Sequence, residues 1–258
     1  MRAFAALSIC AAALGLALSS GACGNPSDLL PDTGMPDAGP FAVSGTATAF
    51  PLASRWFAEQ GLDLPSRSGA SLRLEDPFVA ERMPDAGVNV DTSLEEDGRF
   101  AFSDLDGRVS VGLAAVVTDS RPAGPMLSES FLFEGGPHSV SDAKAWMLPL
   151  EFGAALAKAT KIDDLATQGF LLGVVLDSAG KPVSGAGIAG HDLDNSRVRY
   201  LADDLSLVAD AHATGPSGAF LVVGEADLMN YSVVSPEGYA QKKAQIIPGR
   251  AFLIVFQP

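Results

Sequence analysis

Basic residues are scarce in this chain. Seventeen Lys and Arg stand against 31 Asp and Glu, a formal net charge of −14. A phosphate backbone would be repelled on average, so nucleic acid is excluded as a partner. Histidine is scarcer still. His138, His191 and His212 are the only three, and none sits in an H-x-x-E or H-E-x-x-H pattern, so no zinc-hydrolase motif is present. There is no G-x-S-x-G; Gly215-Pro-Ser217-Gly-Ala219 is one residue short and reads as a turn. Aromatics make up 7%. That leaves few platforms for a sugar: Trp56 is the one placed for exposure, and Trp146 reads as core. Cysteine occurs twice, at Cys10 and Cys23. After residue 22 no apolar run reaches the length of a membrane span. What is abundant is apolar and turn-forming material: 47% hydrophobic residues, 27 Gly and 17 Pro. With 19% charged residues, this is a composition of folded cores with heavy punctuation, not of disorder.

The first 22 residues stand apart. Arg2 supplies a positive n-region, Ala3 to Leu18 is almost wholly apolar, and Ser19-Ser20-Gly21-Ala22 leads to Cys23. This is the pattern of a secretory leader. Gly-Ala-Cys resembles a bacterial lipobox, with Ser20 where Leu is usual. The resemblance implies lipidation of Cys23 and an exported, membrane-anchored chain. Gly24 after the Cys implies the outer membrane, periplasmic or surface-facing. Cys10 would leave with the leader. A single remaining thiol forms no internal disulfide and fits an acyl anchor. Residues 23–40 are rich in Pro, Gly and Asp and read as an extended tether, about 3 Å per residue.

From Phe41 the pattern turns to short strands. Val43 to Phe50, Ser71 to Glu75 and Arg99 to Ser103 alternate, and Glu96-Asp97-Gly98 marks a hairpin. Val109 to Thr118 reads as a central strand, with Ser128 to Phe133 and Ala145 to Leu150 after it. A short helical turn is expected over Ser54–Gln60, ending at Gly61. Phe152, Ala155, Leu156 and Ala159 recur at helical spacing, with Glu151 in the first turn and Gly169 beyond, so 151–169 is predicted as a helical connector broken near Lys161. Phe170 to Leu176 is a near-continuous apolar strand, and Asp177-Ser-Ala-Gly180 turns it. Ala219 to Val223, Tyr231 to Ser235 and Ala251 to Phe256 supply further strands.

Gly173-x-Val175-x-Asp177-x-x-Gly180-x-Pro182-Val183-x-Gly185-Ala186 resembles the opening of a carboxypeptidase regulatory-like domain. Thr214 with Gly218-x-Phe220, Tyr231-x-Val233 and Glu237-Gly238-Tyr239 resemble later features of that family in the same order. The resemblance covers about 170–258 and implies a transthyretin-like β-sandwich opened by a hairpin at Phe170–Gly190. Residues 41–150 read as a degenerate copy. Gly45 is laid on Gly173, Gly69-Ala70 on Gly185-Ala186 and Gly98-x-Phe100 on Gly218-x-Phe220, at offsets of 128, 116 and 120. The expected fold is therefore mainly β: two Ig/transthyretin-like sandwiches, at 41–150 and 170–258, joined by a short α-helical connector.

Chemistry has few places to sit. Gly185-Ala-Gly187-Ile-Ala-Gly190 matches G-x-G-x-x-G but lacks the strand before and helix after that a pyrophosphate needs, and a glycine-rich strand accounts for it. Asp192, Asp194 and Asn195 offer oxygens at alternate positions, a Ca²⁺ candidate without the spacing of a full EF-hand loop. No Lys on the first strand or Asn on the last is placed for an isopeptide cross-link. No catalytic residue and no cofactor are expected. The partners expected are a membrane, through the lipid anchor, and an envelope protein or glycan. The function read is that of a non-catalytic structural, adhesive or binding module. An accessory glycan- or Ca²⁺-binding module is the alternative, and an unrecognised hydrolase comes third.

Overall fold

The computed structural model describes residues 39–82, 87–121, 124–190, 197–224 and 226–258. The leader, Cys23, most of the tether and the segment bearing His191, Asp192, Asp194 and Asn195 lie outside them. Residues Ala38–Pro258 form one compact unit. The chain is mainly β, in two sandwiches with helices packed beside them.

In the first sandwich, β1 (Phe41–Ala49) lies between antiparallel β4 (Arg99–Leu105) and parallel β8 (Val140–Pro149), and β6 (Pro125–Met126) ends the row. The facing layer holds β2 (Ser71–Glu75), β3 (Asn89–Ser93), β5 (Gly112–Thr118) and β7 (Ser128–Glu134). Alternation along β1 and β2 sends Val43, Ala47, Leu72 and Leu74 inward, where they meet Phe100, Leu113 and Val117. Burying each large aliphatic side chain contributes about 1.5–3 kcal/mol.

The second sandwich is built the same way. Strand β9 (Phe170–Val175) lies between antiparallel β12 (Ala219–Val223) and parallel β15 (Ala251–Phe256), with β11 (Val198–Tyr200) beyond β12. Its facing layer is β10 (Gly187–Gly190), β13 (Ala226–Ser235) and β14 (Gly238–Ile246). Leu171, Val175, Phe220 and Ile254 pack there against Ile188, Tyr231 and Ala244.

The positions paired across the repeat occupy matching places. Gly45 stands opposite Phe100, and Gly173 opposite Phe220. Ala47 N donates to Gly98 O (2.8 Å), and Val175 N to Gly218 O (2.9 Å). Gly69 and Gly185 both take positive φ, 85° and 82°, and each donates its N–H to the residue that in turn bonds the next carbonyl. Leu94 does this for Ala70, and Thr214 for Ala186. The two sandwiches share this local geometry.

The two units are fused through a strand edge. Strand β15 pairs in parallel with β7, Ala251 opposite Ser128 and Phe252 opposite Glu129. This joins the facing layer of the first unit to the first layer of the second, giving an eight-stranded sheet ordered β11-β12-β9-β15-β7-β5-β2-β3. Parallel partners share a face, so Ala251 and Leu253 lie on the side of Ser128 and Ser130. That side is covered by the β4-β1-β8-β6 layer at one end. At the other it is covered by the helices α1 (Pro51–Gln60), α3 (Leu150–Thr160) and α4 (Leu165–Gln168), which enclose Phe170, Leu172, Leu221 and Leu253. The three-stranded layer covers the opposite face.

Local chemistry explains the helices. Pro51 opens α1, three residues before the turn expected from sequence, because a first-turn Pro sacrifices no hydrogen bond. Gly61 closes it in the left-handed region (φ 66°). Helix α3 carries Glu151 in its first turn, Lys158 in its last, and Phe152 and Leu156 buried. Lys161 ends it at φ 59°, where the break was expected.

One expectation is corrected. Phe170–Gly190 is not a hairpin within one sheet. The Asp177 turn forms as expected, with Asp177 Oδ1 accepting from Ala179 N (2.9 Å) and Lys181 N (2.8 Å). The chain keeps only a bridge between Leu176 and Pro182 before it leaves the sheet. Gly185 then lets it cross to the other layer, and β10 pairs with β13. Val183 N makes the last bond back to β9, donating to Val175 O (2.9 Å), and the buried Thr214 hydroxyl holds the corner, donating to Val183 O (2.8 Å) and accepting from Ala186 N (3.0 Å).

Candidate functional site

A cleft of about 530 Å³ opens where the two units meet. One wall is the start of α2 (Pro77–Arg82) with Val111. The other is the distal part of the β13–β14 pair, from Ala226 to Asn230 and from Lys243 to Ile247, with Pro248 beyond. A volume in this range at a junction between units is where ligands commonly bind.

The doublet Glu75-Asp76 at the end of β2 organises the base. Asp76 is fully buried. Its Oδ1 accepts from Phe78 N (2.9 Å) and Val79 N (3.1 Å), capping α2, and its Oδ2 accepts from Ser110 N and Val111 N (3.1 Å). One carboxylate thereby fixes both strips of the first wall. Glu75 turns to the seam. Its Oε2 receives Arg73 (2.8 Å) and its Oε1 receives Arg250 Nη1 (2.7 Å). Arg250 also reaches Glu129 Oε2 (3.0 Å), and Gln245 Nε2 donates to the other Glu129 oxygen (2.7 Å). Strands β2 and β7 meet the guanidinium of the turn before β15, and β14 joins them through Gln245 on Glu129, so the cluster ties the two units together beneath the cleft.

Glu129 is completely enclosed. Its pKa is raised, because burial disfavours the anion more than Arg250 favours it, and Glu75 adds repulsion. A raised folded pKa favours folding at low pH, and that contribution is lost as pH climbs from the ordinary value of 4.5 through the folded one. Glu129→Gln removes this titration. Its unfolding free energy relative to the parent is expected to improve as pH rises above 4.5, read by urea denaturation across pH 4 to 8. A gap that is flat or widens against the variant would sink this account. Arg250 is held in its charged form; despite desolvation its two carboxylates raise its pKa.

These acids are structurally occupied. Glu75, Asp76 and Glu129 hold arginine, amide or backbone donors, and none presents a free oxygen pair to solvent. Among the described residues no group of three or more His, Cys, Asp and Glu is placed to hold a metal ion. Of the sequence candidates, His138 and His212 are exposed and apart. His138 bonds Gly136 O through Nδ1 (2.8 Å) and packs on Phe133. Trp56 is half-buried against Phe57 and Phe152, and Trp146 stacks edge-on with Phe50, so neither offers a sugar platform. Among the described residues the exposed Phe, Tyr or Trp ring is that of Tyr239, 61% accessible, whose hydroxyl meets Ser232 Oγ (3.1 Å). Gly187–Gly190 lies in β10, with no nucleotide-binding context. The cleft and the ion cluster went unseen in the sequence. Their one signal there is a charged residue inside an apolar strand, Glu129 in Ser128–Phe133.

No family model matches the chain, and no curated protein matches it. Solved structures with a likeness include a streptococcal ancillary pilin, 13% identical over 84% of this chain and 68% of that one, TM-score 0.23. The Bacillus anthracis TIE protein is 14% identical over 84% and 33%, TM-score 0.24. The shaft pilin SpaA of Lactobacillus rhamnosus GG is 12% identical over 85% and 98%, TM-score 0.23. Scores this low carry no weight for fold or function; the strand order and registers define the sandwiches. Among the described residues no helix is long and apolar enough to cross a membrane.

Proposed function

We propose that this chain is a non-catalytic cell-envelope lipoprotein, anchored through Cys23 in the outer membrane. It displays a carboxypeptidase regulatory-like sandwich at 170–258, preceded by a degenerate copy at 41–150, as a structural, adhesive or binding module for an envelope protein or glycan. The observation that carries the non-catalytic part is the state of the buried acids: Glu75, Asp76 and Glu129 all serve fixed partners. An enclosed carboxylate held by an arginine and an amide has no lone pair aimed at a substrate. The leader pattern and the lipobox-like Gly21-Ala22-Cys23 support the anchor.

Cys23→Ser is expected to move the protein from the membrane fraction to the soluble fraction of an expressing diderm bacterium, and to remove the acyl mass from its N-terminal peptide. An unchanged partition between fractions overturns the anchor.

A further inference from the structure

The geometry points to the cleft as a site for an extended peptide segment of a partner protein, one that carries a carboxylate beside an apolar side chain. This rests on the reading of the chain as a binding module and names the ligand class for it.

Four polar side chains line the cleft, Asp227, Asn230, Lys243 and Gln245, and the last two are held in place. Gln245 is 7% exposed. Its Nε2 is committed to Glu129 (2.7 Å), which leaves the carbonyl Oε1, without a donor among the described residues, as the acceptor of a residue that lines the cleft. Arg250 grips Glu129 from the other side, so the amide cannot swing away without uncovering a buried acid. A ligand N–H satisfies it. Opposite Gln245, strand β13 slips register: Ala226 pairs with Ile246 and Met229 with Ala244, so Asp227 and Leu228 face one residue. Such a bulge takes peptide groups out of the ladder, and both of its residues line the cleft. A polypeptide brings an N–H and a C=O at every residue and can meet main-chain groups of this kind.

The cation is Lys243. Its main chain is tied by N–H donation to Glu134 Oε1 (3.0 Å), and its ammonium donates to Val111 O (3.2 Å), bracing it across the mouth. An ammonium has three donors, and among the described residues no acid pairs with this one. A ligand carboxylate completes it, a charge-assisted bond in a half-buried place. Between these polar points Phe78, Met229 and Ile247 form an apolar strip suited to an aliphatic side chain. A glycan is the poorer fit, because the exposed aromatic face lies elsewhere, at Tyr239.

The test is fluorescence anisotropy of labelled acetyl-Ala-Leu-Glu-Ala-amide against the full chain. Saturable binding is expected. Lys243→Met, which keeps the main-chain bond to Glu134, should weaken it about tenfold, as should Gln for Glu in the peptide, and the two changes together should do no more than either alone. Asn230→Trp, at an exposed position on the cleft wall, should abolish binding without changing the melting temperature, and Tyr239→Ala should leave it intact. The proposal is overturned by absence of saturable binding, by affinity indifferent to Asn230→Trp or Lys243→Met, or by chitotetraose displacing the peptide. Any of these would leave the anchored-module reading standing, since fractionation of Cys23→Ser tests that separately.

Discussion

Arg250→Ala is expected to lower the unfolding free energy by about 3–5 kcal/mol at neutral pH, the cost of breaking a buried ion pair from one side. Arg250 is the cation that touches Glu129, and Glu129 has no exposure to water. Glu75 fares better, since Arg73 still holds its Oε2 at 2.8 Å. The loss should depend on pH in a direction fixed by linkage. The Glu129 pKa is already raised in the folded protein, and removing the guanidinium raises it further. The variant's folded state therefore recovers by taking up a proton. Its deficit should shrink as pH falls toward the ordinary glutamate range and grow above it. Urea denaturation at pH 5 and pH 8 reads this. Arg250→Met combined with Glu129→Leu removes both charges and fills the space with apolar atoms. It should recover most of the stability, because a buried pair gains little over a packed apolar substitute. A deficit below about 1 kcal/mol, or a double variant as weak as Arg250→Ala, would show that the seam is held by the β7–β15 contact alone.

What the sequence discloses and what it hides divide along a physical line. Alternation in β1, β2 and β4, the helical spacing of α3 and the Asp177–Gly180 turn are local, and they are legible. The repeat is legible because its glycines are dictated by close approach: Gly45 beneath Phe100, Gly173 beneath Phe220. Strand β14 is not. Gly238 to Ile246 carries Gln241, Lys242 and Lys243 in its middle and looks like a turn and a loop, because an edge strand facing water has no apolar alternation to show. The site is hidden for a different reason. Glu75, Glu129 and the Gln245–Arg250 segment are three separate stretches, and no local pattern reports a contact across 175 positions.

The edge of β14 differs from its counterpart in the first unit. Carrying the matched registers outward from Ala70 and Ala186 places Glu129 on Gln241, Ser130 on Lys242 and Phe131 on Lys243. In the first unit β15 pairs along this edge at Ser128 and Glu129, and the Phe131 ring lies against Phe252. In the second unit the equivalent edge bears two lysines, and Glu134 has capped the Lys243 N–H. Lysines on an open strand edge oppose further pairing. The same residue that closes the edge presents its ammonium to the cleft, so termination of the sheet and the charge of the proposed site come from one substitution within the repeat.

Gly173→Ala and Gly45→Ala are each expected to cost about 3 kcal/mol, the upper end of overpacking penalties, but only the first should be relieved by trimming a neighbour. A methyl on Gly173 would lie 2.1 Å from Phe220 Cζ, with all three nearest atoms in that ring. Phe220→Leu shortens the obstacle, so the double variant should lose less than the two single losses summed. A methyl on Gly45 would meet Phe100 at 2.8 Å, but it would first strike the Ala143 carbonyl oxygen at 2.0 Å. That oxygen belongs to the parallel neighbour β8 and cannot be trimmed. Phe100→Leu should therefore leave the Gly45→Ala penalty nearly whole, and the losses should add. Two double-mutant cycles by chemical denaturation separate the cases. Equal coupling in both would mean that the first unit yields at its backbone as readily as the second yields at a side chain, and that the paired glycines do not bear on their two sheets in the different ways their neighbours dictate.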